Sequence, residues 1–116
     1  MMKLSINGKI ISSHCNEAKG LFGKALGLMF RKKVSNPLIF SFAKAQYVPL
    51  HMWFVFTAID VIFVNNNTIV EIKENFKPWH FYSPKKKAEC VIEFAAGTIS
   101  QHAISVGQKV SIFRSD

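Results

Sequence analysis

Two acidic side chains lie inside apolar runs that are typical of β-strands. Asp60 lies within residues 59–64, and its alternate neighbours are apolar. Glu93 lies within residues 89–95 in the same kind of pattern. Because burial penalises an isolated charge, each carboxylate needs partners that offset the loss of water. Together in one pocket, the two would be able to bind a cation, orient a hydrogen-bond-donating ligand, or act as general acid and base. The other interpretation is structural: each accepts backbone hydrogen bonds or pairs with a cation, which is the commoner cause of buried charge.

Arg31 is the third ionisable side chain that could hold a ligand. It is one of two arginines in the chain and follows Gly27-Leu28-Met29-Phe30 at the end of a predicted helix. Its planar guanidinium is suited to binding a carboxylate or a phosphate at two points. Alternatively, the run Arg31-Lys32-Lys33 complements the negative end of the helix dipole and is otherwise solvated.

Aromatic and histidine side chains could line the rim of a pocket. His51 comes just before Trp53, and Trp79 opens an aromatic segment that continues through His80 and Tyr82. The four histidines lack the spacing of a metal site, so we predict no metal and no cofactor. Cys15 and Cys90 are far apart and have no evident partner base, so neither a disulfide framework nor covalent catalysis is indicated.

The elements that must position these residues are mostly strands. Asn7-Gly8 is a strong hairpin signal near the start of the chain. Apolar residues between Ala18 and Met29 recur at helical spacing, which predicts a helix with Asn16 as its N-cap. We also expect a short helical turn within residues 98–105. Period-two or apolar runs predict six further strands, at residues 38–42, 52–56, 59–64, 68–72, 89–95 and 109–113. Asn65-Asn66-Asn67 is typical of a tight turn, so the strands on either side of it should pair as an antiparallel hairpin.

Several of these strands are apolar on both faces, so both faces must be covered by protein. One helix is too small to cover a whole sheet. We therefore predict a mainly β (α+β) fold: a small antiparallel β-sandwich or partly open barrel with one α-helix packed against it. The length of 116 residues fits one domain, residues 1–116.

Composition excludes several classes of protein. A hydrophobic fraction of 49% is too high for a disordered chain. The longest nearly apolar stretch, residues 52–64, contains Asp60 and is shorter than a membrane span. Residues 1–8 hold no apolar run of the kind that a secretory signal needs. We therefore expect a cytoplasmic protein with no membrane partner.

The net charge of +8 is uneven along the chain. Residues 1–58 hold 8 basic and 1 acidic side chains, whereas residues 59–116 hold 7 and 6. This excess would attract a phosphate backbone, and the aromatic residues before Lys85-Lys86-Lys87 would suit base stacking. Lysines on a solvated face are the ordinary explanation, so nucleic acid is the least favoured partner from the sequence.

The order and spacing of several segments resemble the family known as domain of unknown function 192, also called uncharacterised protein family 0127. The segments that carry the resemblance are residues 27–31, 37–40, 51–64, 92–97 and 106–107. The resemblance implies a small, mostly β domain with one helix, found as stand-alone archaeal forms and as exported bacterial forms. It brings no activity with it. Trp53 departs from the family pattern, in which the Trp more often precedes the Met.

The positions that match the signature of this family are Gly27, Leu28, Met29, Arg31, Met52, Asp60, Glu93 and Gly97. Three of them, Arg31, Asp60 and Glu93, are also singled out by their chemistry. A shared binding site would give this overlap, and so would an ion pair that defines the fold.

The function that the sequence favours is a non-catalytic binding module with a polar pocket among aromatic residues. Its candidate ligand-binding residues are Arg31, Asp60, Glu93, Trp53, His51 and Trp79. The partner would be an unknown small molecule or protein. The alternatives are an enzyme that uses a buried carboxylate as acid or base, and a basic protein that associates with nucleic acid.

Overall fold

The computed structural model describes residues 2–18, 36–51 and 57–114. Within these ranges the chain forms nine strands and one short helix. In chain order they are β1 (Met2–Ile6), β2 (Lys9–Ala18), β3 (Leu38–Gln46), β4 (Leu50–His51), β5 (Ile59–Asn65), β6 (Thr68–Phe76), β7 (Phe81–Tyr82), β8 (Ala88–Ala95), α1 (Thr98–Gln101) and β9 (Val110–Arg114). The predicted mainly β class is confirmed.

Seven of the strands form one open sheet, in the order β6-β5-β8-β3-β2-β1-β9. Neighbouring strands are antiparallel except β2 and β3, which are parallel. The remaining two strands, β4 and β7, form a small antiparallel sheet of their own. The large sheet resembles the predicted partly open barrel more than the predicted β-sandwich.

The two edge strands of the large sheet meet at one end. Thr68 at the start of β6 forms an isolated bridge with Lys109 beside β9. Backbone hydrogen bonds from Ile69 N to Gln108 O (2.9 Å) and from Val110 N to Asn67 O (2.8 Å) flank this bridge. The sheet therefore curls until its edges touch at this point, although it is not closed along its length.

Apolar side chains pack on both faces of the sheet. The inner cluster joins the centre of the sheet to its edges, and its members include Leu4, Ile39, Ile62, Ile69, Ile92, Phe94 and Val110. The outer cluster lies on the other face and includes Leu38, Leu50, Ile59, Val61, Phe63, Phe76 and Val91. Six consecutive residues of β5, Ile59–Val64, are buried because the strand supplies both clusters. This confirms that strands apolar on both faces are covered on both faces.

Two hairpins form where asparagine tolerates a left-handed backbone. Asn7 and Gly8 have φ values of 52° and 79° between β1 and β2. Asn66 and Asn67, with φ values of 52° and 58°, join β5 to β6. Two successive residues with positive φ give a turn whose twist matches that of the paired strands. The predicted hairpin at Asn7-Gly8 and the predicted antiparallel pairing of the strands around residues 65–67 are both confirmed.

The prediction that Asn16 caps a helix is wrong. Asn16 lies in β2, where it pairs in parallel with Leu38 of β3, and its backbone N–H donates to the carbonyl oxygen of Pro37 at 2.9 Å. Pairing with a buried strand therefore outweighs the local preference of Asn for a helix start. Residues 19–35, which hold most of the predicted helix, and the predicted strand 52–56 lie outside the described residues. The short helical turn within residues 98–105 is confirmed as α1.

The described part of the chain contains no helix with both the length and the apolar character needed to cross a bilayer.

Burial on the inner face predicts a contrast between two isoleucines. Ile62 is 0% exposed and Ile10 is 50% exposed. Ile62→Ala should lower the free energy of unfolding by about 2–5 kcal/mol, because it leaves a cavity in a packed core. Ile10→Ala should change it by less than about 0.5 kcal/mol. Urea denaturation followed by circular dichroism measures both, and equal losses would show that the curled sheet is not packed on its inner face.

Candidate functional site

A β-bulge in β6 lies directly opposite Asp60. The pairing with β5 runs from Val61↔Lys73 to Ile59↔Phe76, so two residues of β6, Glu74 and Asn75, face the single residue Asp60. Asn75 has a φ of 49°. Its backbone N–H, which the bulge removes from the regular ladder, donates to Oδ1 of Asp60 at 2.8 Å. The carboxylate thus supplies the acceptor that the bulge needs.

The bulge decides which side chains of β6 face outwards together. Residues three apart on a regular strand point to opposite faces, because the side-chain period is two. The extra residue puts Lys73 and Phe76 on the same face, opposite Val61 and Ile59 of the outer cluster. Asp60 itself points to the inner face, where its cross-strand partner is Phe94.

The second oxygen of Asp60 holds the start of α1. Oδ2 accepts the backbone N–H groups of Gly97 at 3.0 Å and of Ile99 at 2.9 Å. Gly97 has a φ of 95°, a conformation that a side chain would strain. Asp60 is only 1% exposed. Three backbone hydrogen bonds offset the cost of burying the Asp60 carboxylate. The contacts of Asp60 therefore match the structural interpretation, in which the carboxylate accepts backbone hydrogen bonds.

An open cleft of about 220 Å³ lies on the outer face, between β6 and the segment that leads into β7. Its polar lining comes from Lys73, Asn75, Lys77 and His80. Its apolar lining is aromatic and comes from Phe76, Phe81 and Tyr82. None of the lining residues is acidic.

Tyr82 forms the aromatic floor of the cleft. Its ring packs against Phe63 and Phe76, with centroid distances of 6.0 and 6.3 Å. The ammonium group of Lys73 lies 5.4 Å from the Tyr82 ring centroid, within the range of a cation–π contact. Burial, together with the hydrogen bond to Glu71 and the charge of that residue, raises the pKa of Tyr82 to about 12. The phenol is therefore neutral near pH 7, and its O–H donates a hydrogen bond to the Glu71 carboxylate.

Glu71 ties the floor to the neighbouring loop. Its Oε2 accepts the hydroxyl of Tyr82, and its Oε1 accepts the backbone N–H groups of Lys85 and Lys86, both at 2.9 Å. The Glu71 carboxylate thus accepts three hydrogen bonds. The side chains of Lys85 and Lys86, in the loop whose backbone Glu71 holds, are exposed.

Trp79, next to the lining residue His80, has an uncommon backbone conformation. It occupies a turn closed by a hydrogen bond from His80 N to Lys77 O at 3.3 Å, and its φ is 65°. A bulky residue in the left-handed region carries strain, and such strain often accompanies function. The Trp79 side chain is nevertheless 60% exposed. His80 Nδ1 lies 2.9 Å from Pro78 O. Because a carbonyl oxygen can only accept, Nδ1–H is the donor of this hydrogen bond.

The structure does not bring the predicted carboxylate pair together. Glu93 is paired with Val61 and therefore faces the outer cluster, whereas Asp60 faces the inner one. Glu93 is buried, at 7% exposed. The two carboxylates lie on adjacent strands but on opposite faces of the sheet, so no single pocket contains both.

The other predicted residues fall into two groups. Arg31 and Trp53 lie outside the described residues. The backbone of His51 in β4 pairs with Phe81, a lining residue of the cleft. Trp79 adjoins the cleft through its neighbour His80. Asp60 touches the site indirectly, through the backbone of Asn75.

Sequence reasoning missed Lys73, Lys77 and Tyr82 as site residues. The aromatic segment after Pro78 was a signal for the third, but the two lysines resemble any solvated lysine in a sequence. Lys73 faces outwards by regular alternation from Glu71, and the bulge at Asn75 brings Phe76 to the same face. In residues 2–18, 36–51 and 57–114, no three or more His, Cys, Asp or Glu side chains are grouped as metal ligands.

Comparison with known proteins places the chain in a family. The model of domain of unknown function 192, described as "Uncharacterized ACR", matches residues 2–112. The chain belongs to this family. A family 0127 protein of Pyrococcus furiosus is 36% identical over 105 residues, which cover 89% of this chain and 90% of that protein. A Pyrococcus horikoshii relative is 32% identical over 97 residues, covering 83% and 84% of the two chains.

A solved structure shows the same fold. The crystal structure of a protein of unknown function from Novosphingobium aromaticivorans superposes with a TM-score of 0.85 at 22% identity. The match covers 94% of this chain and 83% of that one. The family 0127 relatives are uncharacterised, so the function of this member must be argued from its own site.

The three hydrogen bonds of Asp60 predict a large cost for a nearly isosteric change. In Asp60→Asn the amide NH₂ must face backbone N–H donors, and one oxygen remains to accept. We expect the free energy of unfolding to fall by about 3 kcal/mol. Glu74→Gln, at the exposed residue beside Asn75, is the matched control and should change it by less than about 0.5 kcal/mol. Equal stabilities of the two variants in urea denaturation would contradict the contacts described for Asp60.

The two thiols should be poor nucleophiles. Burial raises the pKa of Cys15, and burial raises the pKa of Cys90 to about 11. Because the thiolate is the reactive form, N-ethylmaleimide at pH 8 should label the native protein slowly and the urea-unfolded protein at once. Deprotonation in the unfolded state also means that stability falls as pH rises from about 9 towards 11. Rapid labelling of the native protein would show that a thiol is accessible.

Proposed function

We propose that this protein is a non-catalytic binding domain and that its outer cleft takes a ligand with a negative charge and a flat apolar part. The observation that carries the proposal is the lining of the cleft, in which two lysines and a histidine surround three aromatic side chains. Concave, mostly apolar sites with a few convergent polar groups are where small ligands bind.

The charge of the site supports an anion. Lys73 and Lys77 contribute two ammonium groups, and no lining side chain is acidic. The acidic residue that contacts Tyr82, Glu71, already accepts the Tyr82 hydroxyl and two backbone N–H groups. A bound carboxylate or phosphate would therefore meet cationic donors with little competition from protein acids.

The aromatic side chains support a flat partner. Tyr82 is held from behind by Phe63 and Phe76. Phe81 lines the cleft and is 56% exposed, and Trp79, next to the lining residue His80, is 60% exposed. Rings that remain exposed beside a cleft gain free energy when a planar group covers them.

The competing enzyme hypothesis finds less support among the described residues. Both oxygens of Asp60 accept backbone hydrogen bonds, and Glu93, which faces the outer cluster, is buried and does not line the cleft. General acid–base catalysis needs a carboxyl group within reach of a substrate proton. Asp60 acts instead as a positioning residue, since it stabilises the bulge that places Phe76 on the same face as Lys73.

We also propose that the protein works in the cytoplasm. Cys15 and Cys90 are both free and buried. Unpaired cysteines are typical of a reducing compartment.

Ligand titration by NMR tests the proposal. Phenyl phosphate should bind more tightly than inorganic phosphate or benzyl alcohol, because only it has both charge and ring. The largest backbone amide shifts should fall at residues 73–82. Lys77→Gln should weaken binding of phenyl phosphate about tenfold, since one charge-assisted contact is lost. Lys9→Gln, at the exposed start of β2, is the matched control and should leave the affinity unchanged.

Trp79→Gly separates binding from folding. Glycine relieves the left-handed strain at this position, so the free energy of unfolding should stay level or rise by about 1 kcal/mol. Affinity for phenyl phosphate should fall all the same. If phenyl phosphate binds no better than inorganic phosphate, or if its shifts lie away from residues 73–82, the proposed site is wrong.

A further inference from the structure

A second contact between a lysine and an exposed ring lies beside the cleft. The ammonium group of Lys87 is 5.6 Å from the centroid of the Tyr47 ring, which is 57% exposed. Tyr47 precedes β4, whose Leu50 pairs with Tyr82 on the cleft floor. An aromatic and a basic side chain therefore also lie together at the segment that leads into β4, the strand that pairs with β7.

The loop of residues 83–87 connects these two places. Glu71 accepts the backbone N–H groups of Lys85 and Lys86, so the loop is anchored through its main chain. Its three lysine side chains are exposed. Together with the cleft, this loop and Tyr47 form a surface that we call the basic-aromatic track. Its members are Tyr47, Lys73, Lys77, Trp79, Phe81, Lys85, Lys86 and Lys87.

The track is unusual in how its apolar area is distributed. Tyr47, Trp79 and Phe81 are each more than half exposed. They lie among five lysines and do not form one continuous apolar face. Exposed large aromatic residues in a group mark binding surfaces more often than scattered ones do. Rings separated by cations fit a partner whose own flat groups are separated by negative charges.

From this pattern we infer that the track binds single-stranded nucleic acid, with one nucleotide in the cleft and its neighbours along the loop towards Tyr47. The inference rests on the proposed function, because it names the ligand class of the same cleft. Phosphates meet the lysines, and bases stack on the exposed rings. The net charge of +8 attracts a polyanion from a distance.

Other anionic partners match the track less well. An acidic peptide would satisfy the lysines but brings no flat groups to cover three exposed rings. A lipid surface needs a continuous apolar face that can enter the bilayer interface. A duplex hides the faces of its bases inside its stack. A single strand alone offers regularly spaced charges and open base faces.

The track should be tolerant of base sequence. Its cations are lysines, which act as point charges and lack the fork that reads a guanine edge at two points. Stacking on a ring accepts every base, because each has a flat face. We therefore expect similar affinities for oligonucleotides of different composition.

Fluorescence anisotropy with a labelled oligothymidylate of about ten nucleotides tests the inference. Affinity should fall steeply between about 50 and 200 mM KCl, with a log–log slope of about −0.7 for each phosphate contacted. Lys85→Gln and Lys86→Gln should each make that slope less negative by about 0.7. Lys9→Gln should leave both slope and affinity unchanged.

Aromatic variants report on stacking separately from charge. Tyr47→Ala and Phe81→Ala should each weaken binding about tenfold at constant salt slope. Phe113→Ala is the matched control, because Phe113 is a 39% exposed ring on the edge strand β9. Its affinity should equal that of the unchanged protein.

The outcomes separate this inference from the function on which it rests. If phenyl phosphate binds in the cleft but the oligonucleotide binds no more tightly, the inference fails and the proposed function stands. Failure of both ligands overturns both. Equal affinity for polyglutamate of the same length, or for duplex DNA, would also overturn the inference, since either would show that charge alone is recognised.

Discussion

The carboxylate of Asp60 is the contact on which the surrounding structure depends. Its two oxygens join three backbone N–H groups from two segments that are distant in sequence, the bulge of β6 and the start of α1. The N–H of Ile99 is buried and would otherwise lack an acceptor, and the hydrogen bonds of Asn75 and Gly97 are partly buried. A single negative charge thus replaces ladder hydrogen bonds at the point where the regular sheet is interrupted. Because backbone N–H groups are the donors, the Asp60 carboxylate needs no particular side chain as its partner.

The interruption shapes the other face of the sheet. A regular β6 would turn either Lys73 or Phe76 inwards, and the cleft would lose either its cation or part of its wall. The outer cluster then supplies a rigid base, since Phe63 and Phe76 hold Tyr82 in place. Tyr82 in turn orients Glu71, and Glu71 holds the loop of residues 83–87. Through these contacts, the position of the lysine loop at the surface depends on the buried carboxylate of Asp60.

Much of the fold could be predicted because it follows from local signals. The β-branched and aromatic runs at residues 59–64 and 68–72, with asparagines between them, predicted an antiparallel hairpin, and the structure has it. The prediction that Asn16 caps a helix was wrong because the cap stabilises the chain less than strand pairing with Leu38, which lies far along the sequence. The site was harder for the same reason. Asp60 was recognised as buried, but its acceptor role depends on Asn75 and Gly97, whose positions only the folded chain defines. The bulge that brings Phe76 to the same face as Lys73 leaves no pattern in the sequence.

The way the sheet is completed affects the chain while it is being synthesised. β1 pairs with β2 on one side and with β9 on the other, and Asn7 and Lys109, joined by hydrogen bonds at this seam, are 102 positions apart. During translation β1 emerges early and its outer edge has no partner until β9 has left the ribosome. An open edge of this kind is a template for pairing with another nascent chain. Polysomes, where many copies emerge side by side, are thus the setting in which this protein is most exposed to misassembly, and a ribosome that stalls before residue 110 leaves that edge open.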